Sequence, residues 1–282
     1  MSFRLTIFLL SFCIIPVRAQ THQELCDMAV EAVARDSLGQ AAGYLLLAIA
    51  AEPDNPRNPL LYAKLGDIQR RQGRLADALD SYDIALRSAP LASGILMSRA
   101  SLNMELERWD AALDDYTRVL DLERDNERAL LMRAFLYMRR HDYRRARIDF
   151  RRLLSLDPFS YSGRLGLATL NRKDGRPEEA LDMLSKMIDV PLKDSGETPT
   201  ERAALYVVRA GVEMDLQLVD AALLDLETAL NLDPTQAEAY LIRGQIHLSR
   251  KAKAKAREDF ERAIACGIPH EDMVGLLKEC KE

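Results

Sequence analysis

The sequence predicts an all-α solenoid of about seven helix–turn–helix repeats closed by a C-terminal helix. Three observations predict it. Residues 130–158, LLMRAFLYMRRHDYRRARIDFRRLLSLDP, carry apolar positions at helical spacing twice, with a polar break at 140–142. The same skeleton recurs every 34 residues in both directions. Pro53, Pro90, Pro158 and Pro234 stand where second helices must stop, because proline cannot continue a helix.

The chain opens on an expected leader. Arg4 supplies a positive start, 5–17 is an apolar run, and Val17-Arg18-Ala19 offers small residues at both cleavage-reading positions. The run is shorter than the roughly 20 residues a membrane span needs. Cleavage is expected after Ala19, so residues 1–19 form a signal peptide and the chain is exported, periplasmic or secreted. Cys13 follows the bulky Phe12, which argues against a lipid anchor. There is no Asn-x-Ser/Thr site and no ER-retention ending, which favours a bacterial envelope.

Loss of Arg4 and Arg18 takes the formal charge from −5 to −7. A mildly acidic chain is a poor ligand for nucleic acid phosphates. No second apolar run is long enough to span a membrane. Cys26, Cys266 and Cys280 remain, too few and too odd for a disulfide framework. Cys266 and Cys280 would meet if the last two helices were antiparallel, and export would permit the bridge. The other reading is three unpaired small apolar side chains.

The repeats align on a small residue in each first helix: Ala29, Gly66, Ala100, Ala134, Ala168, Ala210 and Gly244. Twelve residues on stands an alanine of the second helix: Ala41, Ala78, Ala112, Ala146, Ala180, Ala222 and Ala256. Two small residues at a fixed offset let antiparallel helices approach closely. Four residues after each alanine a larger side chain fills the space beside them: Leu45, Tyr82, Tyr116, Phe150, Leu184, Leu226 and Phe260. The register divides the chain into repeats at 22–55, 59–92, 93–126, 127–160, 161–194, 203–236 and 237–270. Residues 56–58 add a short turn, and 195–202 a longer one where the array is expected to flex or change curvature. Thr198-Pro199-Thr200-Glu201 reads as a helix start with a capping box, and Thr235-x-x-Glu238 as a second one. Residues 271–282, with Met273, Val274, Leu276 and Leu277, are expected to cap the apolar end.

This pattern resembles the tetratricopeptide repeat (TPR) family over about nine-tenths of the mature chain. The departures are small: repeat 1 lacks aromatic landmarks, Arg124 replaces a closing proline, and Pro191 comes one place early. The resemblance implies a right-handed solenoid that binds protein without catalysis. It also implies that the first helices line a concave groove. The stripe expected there carries Met97 and Met104, then Leu131, Phe135 and Met138, then Leu165, Val207 and Met214. It is apolar and rich in methionine, suited to an apolar peptide or helix. The Lys and Asn pair of a carboxylate clamp is missing, since Ala63 and Asp67, Met97 and Ser101, Leu131 and Phe135 occupy those places.

Charges repeat too. Arg99, Arg133, Arg209 and Arg243 precede the small residue, and Asp115, Asp149, Asp225 and Asp259 follow 16 residues later. Where the arginine is replaced by Met28, Leu65 or Leu167, the aspartate is replaced by Tyr44, Ser81 or Met183. Columns that change together predict an ion pair between the two helices of one repeat. Repeat 4 also carries Arg139, Arg140, Arg144, Arg145, Arg147, Arg151 and Arg152 beside an acidic repeat 3, and mutual neutralisation on the outer face is expected.

No catalytic constellation is present in the sequence. His22, His141, His247 and His270 are scattered, and HExxH, paired CxxC, GxSxG and phosphate-loop motifs are missing. Neither cofactor nor metal is expected. The reading is a non-catalytic scaffold binding another protein or peptide segment. Its alternative is an assembly factor of the envelope acting through its outer face or by self-association.

Overall fold

The computed structural model describes residues 21–281, and the expected leader lies outside them. The described residues are all-α, with sixteen helices. The helices fall into seven consecutive pairs along the chain. They are α1 (His22–Ala34) with α2 (Leu38–Ala51), α3 (Asn58–Arg71) with α4 (Leu75–Ser88), and α5 (Ser93–Glu105) with α6 (Trp109–Leu122). Next come α7 (Glu127–Arg139) with α8 (Tyr143–Leu156), and α9 (Tyr161–Lys173) with α10 (Pro177–Ile188). After the short α11 (Leu192–Ser195) come α12 (Pro199–Asp215) with α13 (Val219–Leu232), α14 (Ala237–Ser249) with α15 (Lys253–Ala265), and the closing α16 (His270–Glu279). None of these helices is long and apolar enough to cross a membrane. Two compact units are distinguished, the first ending at Asp115 and the second beginning at Tyr116.

Each first helix ends the same way. The next residue but one takes a left-handed backbone: Asp36, Gly73, Glu107, His141, Gly175, Gln217 and Lys251, with φ between 56° and 74°. The residue after it donates its N–H five residues back, as Ser37 does to Ala32 and Asp142 to Tyr137. This closes the helix C-terminus and reverses the chain in three residues. Only two of the seven positions use glycine, so most of these turns carry no sequence flag.

In the first unit, Leu25, Ala29 and Ala32 of α1 pack on Ala41, Leu45 and Ala48 of α2 and on Leu61, Leu65 and Ile68 of α3. Thr21 and Glu24 form a capping box at the start of α1. Gly66 shows why the first helix needs a small residue. A Cβ there would lie 2.8 Å from the ring of fully buried Tyr82.

The second unit repeats the scheme. Ala134 and Met138 pack on Ala146 and Phe150. A Cβ on Gly166 would lie 2.4 Å from Phe150, and one on Gly244 would lie 2.6 Å from Phe260. Met273 of α16 is buried with Ala256 and Phe260, so the last helix covers the final pair. Cys26, Cys266 and Cys280 are free thiols.

One local expectation needs correction. Thr198 and Glu201 do form a capping box on α12, but α14 starts one residue later than its pattern implies. Its N-cap is Gln236, without a side-chain cap. Thr235 is diverted, because the Asp233 carboxylate accepts both its N–H, at 2.9 Å, and its hydroxyl, at 2.6 Å. The insertion at 195–202 ends in a fastened side chain. Arg202 is buried at its end and donates to the carbonyls of Ile188, at 2.7 Å, and Val190, at 2.8 Å. Its Nε reaches Glu197 at 2.7 Å.

Candidate functional site

The repeated charges come together inside each repeat. Arg133 donates through Nε and Nη2 to the two carboxylate oxygens of Asp149, both at 2.8 Å. Arg99 holds Asp115 at 2.9 and 2.6 Å, Arg209 holds Asp225 at 2.6 and 2.8 Å, and Arg243 holds Asp259 at 3.0 and 2.7 Å. All four aspartates are buried, which strips water from their carboxylates. The arginine therefore supplies the charge and the hydrogen bonds that burial removes. These bonds to aspartate raise the pKa of each arginine above its usual range. Tyrosine rings stack on three of the guanidinia: Tyr137 under Arg133, Tyr206 under Arg209 and Tyr240 under Arg243. Arg99 and Arg209 also reach the preceding repeat, Arg99 donating to Asp83 at 2.6 Å and Arg209 to Ser185 at 3.3 Å.

Repeats without the pair fill the space differently. In repeat 2, Ser81 donates to Gln69 at 2.7 Å. In repeat 5 the guanidinium comes from the neighbouring repeat. Arg147 of α8 reaches Asn171 at 2.5 Å and Asp174 at 2.7 Å. Arg147 therefore does not neutralise the acidic repeat before it, as the charge pattern implied. It points the other way, toward the acceptors that Asn171 and Asp174 of the next repeat present. Arg152 does pair backwards, with Asp125 at 2.5 Å.

One buried acid has only a distant share of a cation, Arg209 Nε lying 4.0 Å from Glu213 Oε1. Glu213 lies on α12 beside Asp225, and Arg209 is already engaged by that aspartate. The Glu213 carboxylate is buried and its Oε2 has no partner. Burial first, and the Asp225 charge second, push its pKa up to about 7 from an ordinary 4.5. The folded state thus holds a proton that the unfolded chain releases, and stability falls as pH rises from 4.5 towards 7. Glu213→Gln removes this loss. The variant should be more stable than wild type by about 1–3 kcal/mol at pH 8 and nearly equal at pH 4. Urea unfolding at the two pH values checks it.

The expected groove residues divide by accessibility. Phe135 is 38% exposed, with its ring edge-on to Phe150 at 5.7 Å. Leu131, Leu165 and Met214 in the second unit are half-buried, as are Met97 and Met104 in the first. Met138 and Val207 are buried and cannot touch a partner as they stand. Met138 packs on Ala134, Ala146, Phe150 and Leu170. Val207 packs on Ala203, Ala210 and Ala222. Helical spacing placed both on the stripe, but the first helix that follows lies over them.

An apolar hollow lies elsewhere, in the first unit. It has a volume of about 390 Å³ between α1 and α3. Leu45 and Leu61 floor it, Cys26, Val30 and Val33 wall one side, and Ile68 the other. Val30 is 60% exposed. Cys26, Val30 and Val33 occupy in α1 the places that Leu131, Phe135 and Met138 occupy in α7. Small side chains there leave space where α7 carries bulk. The stripe, extended one repeat toward the N-terminus, names these residues, but repeat 1 lacks the aromatic landmarks that draw attention to it.

The rim is charged and largely tied down. Gln23 donates to Asp27 at 2.8 Å, Arg71 to Asp36 at 2.9 Å, and the Tyr82 hydroxyl to Asp67 at 2.5 Å. Lys64 is exposed on the same rim. Burial raises the Cys26 thiol pKa, so it stays protonated and unreactive. No group of metal-ligating residues is present among the described residues. Chemically the hollow can hold an apolar side chain and give directional contacts at its edge.

Comparison with known proteins agrees with this architecture. The tetratricopeptide repeat family profile matches residues 26–93, 63–129, 131–191 and 209–270. A tetratricopeptide repeat protein from Parabacteroides merdae is 32% identical, with a TM-score of 0.80 over 94% of this chain and 100% of that one. The protein YrrB, a TPR protein with an unusual peptide-binding site, superposes with a TM-score of 0.54 at 18% identity, over 71% of this chain and 97% of that one. The DnaJ homolog subfamily C member 7 homolog of Dictyostelium discoideum is 22% identical over 86% of this chain, which spans 48% of that protein. Proteins of this fold are generally non-catalytic scaffolds that bind other proteins or peptides. By its matched repeats and its helix array, the chain belongs to the tetratricopeptide repeat family.

Proposed function

We propose that this protein is an exported, non-catalytic scaffold that captures an apolar peptide or helix of a partner protein on the inner face of its first helices. The observation that carries the reading is the hollow between α1 and α3, apolar inside and ringed by charge. An apolar side chain seated there removes both surfaces from water, at about 25 cal/mol per Å² buried. In the second unit Phe135 offers a separate apolar contact of the same kind. The export half of the proposal rests on residues 1–19, with their positive start, apolar run and Val17-Arg18-Ala19 site.

Cross-linking in the native host, followed by identification of the captured protein, provides the assay. Val30→Asp and Phe135→Glu are each expected to weaken capture at least about tenfold, the loss of one buried apolar anchor. Circular dichroism should stay unchanged, because both side chains are exposed. Full capture by the double variant would overturn the groove reading. Export is checked by N-terminal sequencing of the fractionated protein. A chain beginning at Gln20 outside the cytoplasm is expected, and a cytoplasmic chain beginning at Met1 would overturn it.

A further inference from the structure

Two second helices of the second unit carry mirrored surface stripes. On α8 the stripe is Arg144, Ile148 and Arg151, and on α13 it is Asp220, Leu224 and Glu227. Both sets lie two residues before, two after and five after the repeat's alanine, so they occupy equivalent places in repeats 4 and 6. The spacing puts each set along one face of its helix. The central position discriminates between repeats. It is Gly43, Asp80, Asp114, Asp182 or Glu258 in the other five, and large and apolar only here. Ile148 is 60% exposed and Leu224 is 65% exposed. Neither is needed by its own repeat, whose core is filled from the opposite face.

The flanking charges are available. Arg144 and Arg151 make no ion pair among the described residues, whereas Arg145, Arg147 and Arg152 on the same helix are paired. Glu227 likewise makes no ion pair among the described residues. Asp220 gives one oxygen to Arg250 at 2.6 Å, and its side chain remains 91% exposed. Beside Ile148 lies a hollow of about 420 Å³, bordered by Arg144, Arg147, Arg151, Arg176 and Asp174. Its excess of guanidinium groups calls for an acidic occupant, and its size admits a leucyl side chain.

We infer that α8 of one molecule docks on α13 of a second copy, with Ile148 against Leu224 and the arginines against Asp220 and Glu227. Matched registers, opposite charges and a shared apolar centre all point to the same occupant, this chain itself. The contact joins one surface to a different one, so it is heterologous and builds either a ring or an open chain. Electrostatic complementarity fixes the register, and the apolar pair anchors it.

The test is sedimentation velocity on the mature chain at about 5 to 200 µM, at about 50 and 500 mM NaCl. Association is expected at low salt, with an apparent dissociation constant raised at least about tenfold at high salt. The double variants Arg144→Glu/Arg151→Glu and Asp220→Arg/Glu227→Arg should each be monomeric, since each leaves like charges facing. Mixing the two restores opposite signs at every contact, and mass should reappear in a 1:1 mixture. Circular dichroism on each variant secures folding, and the mixture supplies the decisive arm. A wild type that stays monomeric throughout would overturn the inference, and so would variants that associate unchanged. Failure of the mixture to associate would do the same. Binding of poly-glutamate to a monomeric wild type would assign the arginine stripe to a foreign acidic partner instead.

Discussion

Asp149→Ala should destabilise the protein by about 3–5 kcal/mol, the cost of leaving a buried charge without its partner. Asp149 is 2% exposed and takes two hydrogen bonds from Arg133. Its removal leaves that guanidinium between Tyr137 and an empty pocket. Arg133→Leu should cost a similar amount, because it strands the carboxylate. The informative variant changes both. Repeat 5 already carries Leu167 and Met183 at these two places. Arg133→Leu with Asp149→Met should therefore lie within about 1 kcal/mol of wild type, since both charges and both desolvation costs disappear together. Urea unfolding of the four proteins in the cycle gives the coupling. Losses that simply add would show that the two columns act independently and would end the latch interpretation.

Arg202→Met is expected to cost about 3–5 kcal/mol as well, because one side chain satisfies several buried groups. Its three donors meet the carbonyl of Ile188 at the end of α10, that of Val190 just beyond it, and the Glu197 carboxylate, whose side chain is 10% exposed. Methionine fills the volume but leaves all three acceptors dry. Arg202→Lys should recover only part of the loss, since an ammonium on a narrow stem cannot span the same fork. Hydrogen exchange followed by mass spectrometry supplies the specific readout. Amides across 190–198 should lose protection in Arg202→Met, while those of α14 and α15 keep theirs. Unchanged protection in 190–198 would mean that Arg202 does not fasten this junction.

Internal repetition made much of the architecture legible. A chain that folds the same supersecondary unit several times supplies its own comparison, so a column of small residues or closing prolines stands out. The arginine and aspartate columns are legible for the same reason. They change together at a constant offset of 16, and the hydrogen bonds run between them. The Thr198–Glu201 start of α12 is legible because capping is local chemistry, complete within four residues. Thr235 shows the limit of that logic. Its pattern is the same, but a nearby aspartate competes for the hydroxyl.

What stayed hidden depends on which neighbour covers a face. Helical spacing assigns Phe135 and Met138 to one stripe, yet Phe135 stays accessible while Met138 is buried against Leu170 of α9. Arg147 belongs by sequence to an exposed basic helix, yet it turns toward Asn171 and Asp174 of repeat 5. Glu213 looks like any other helix-borne acid until Asp225 is seen to hold the available arginine.

The sequence by itself determined the repeat, its phase and the residues that change in concert. These follow from backbone geometry and from pairings inside one 34-residue unit. Only the tertiary structure decided which side chains remain available to a partner. Availability is set by where the next helix lies and how bulky its facing side chains are, which the repeated pattern does not encode. The apolar hollow beside Val30 exists for that reason: small residues on α1 face α3 across a gap that larger ones would have closed.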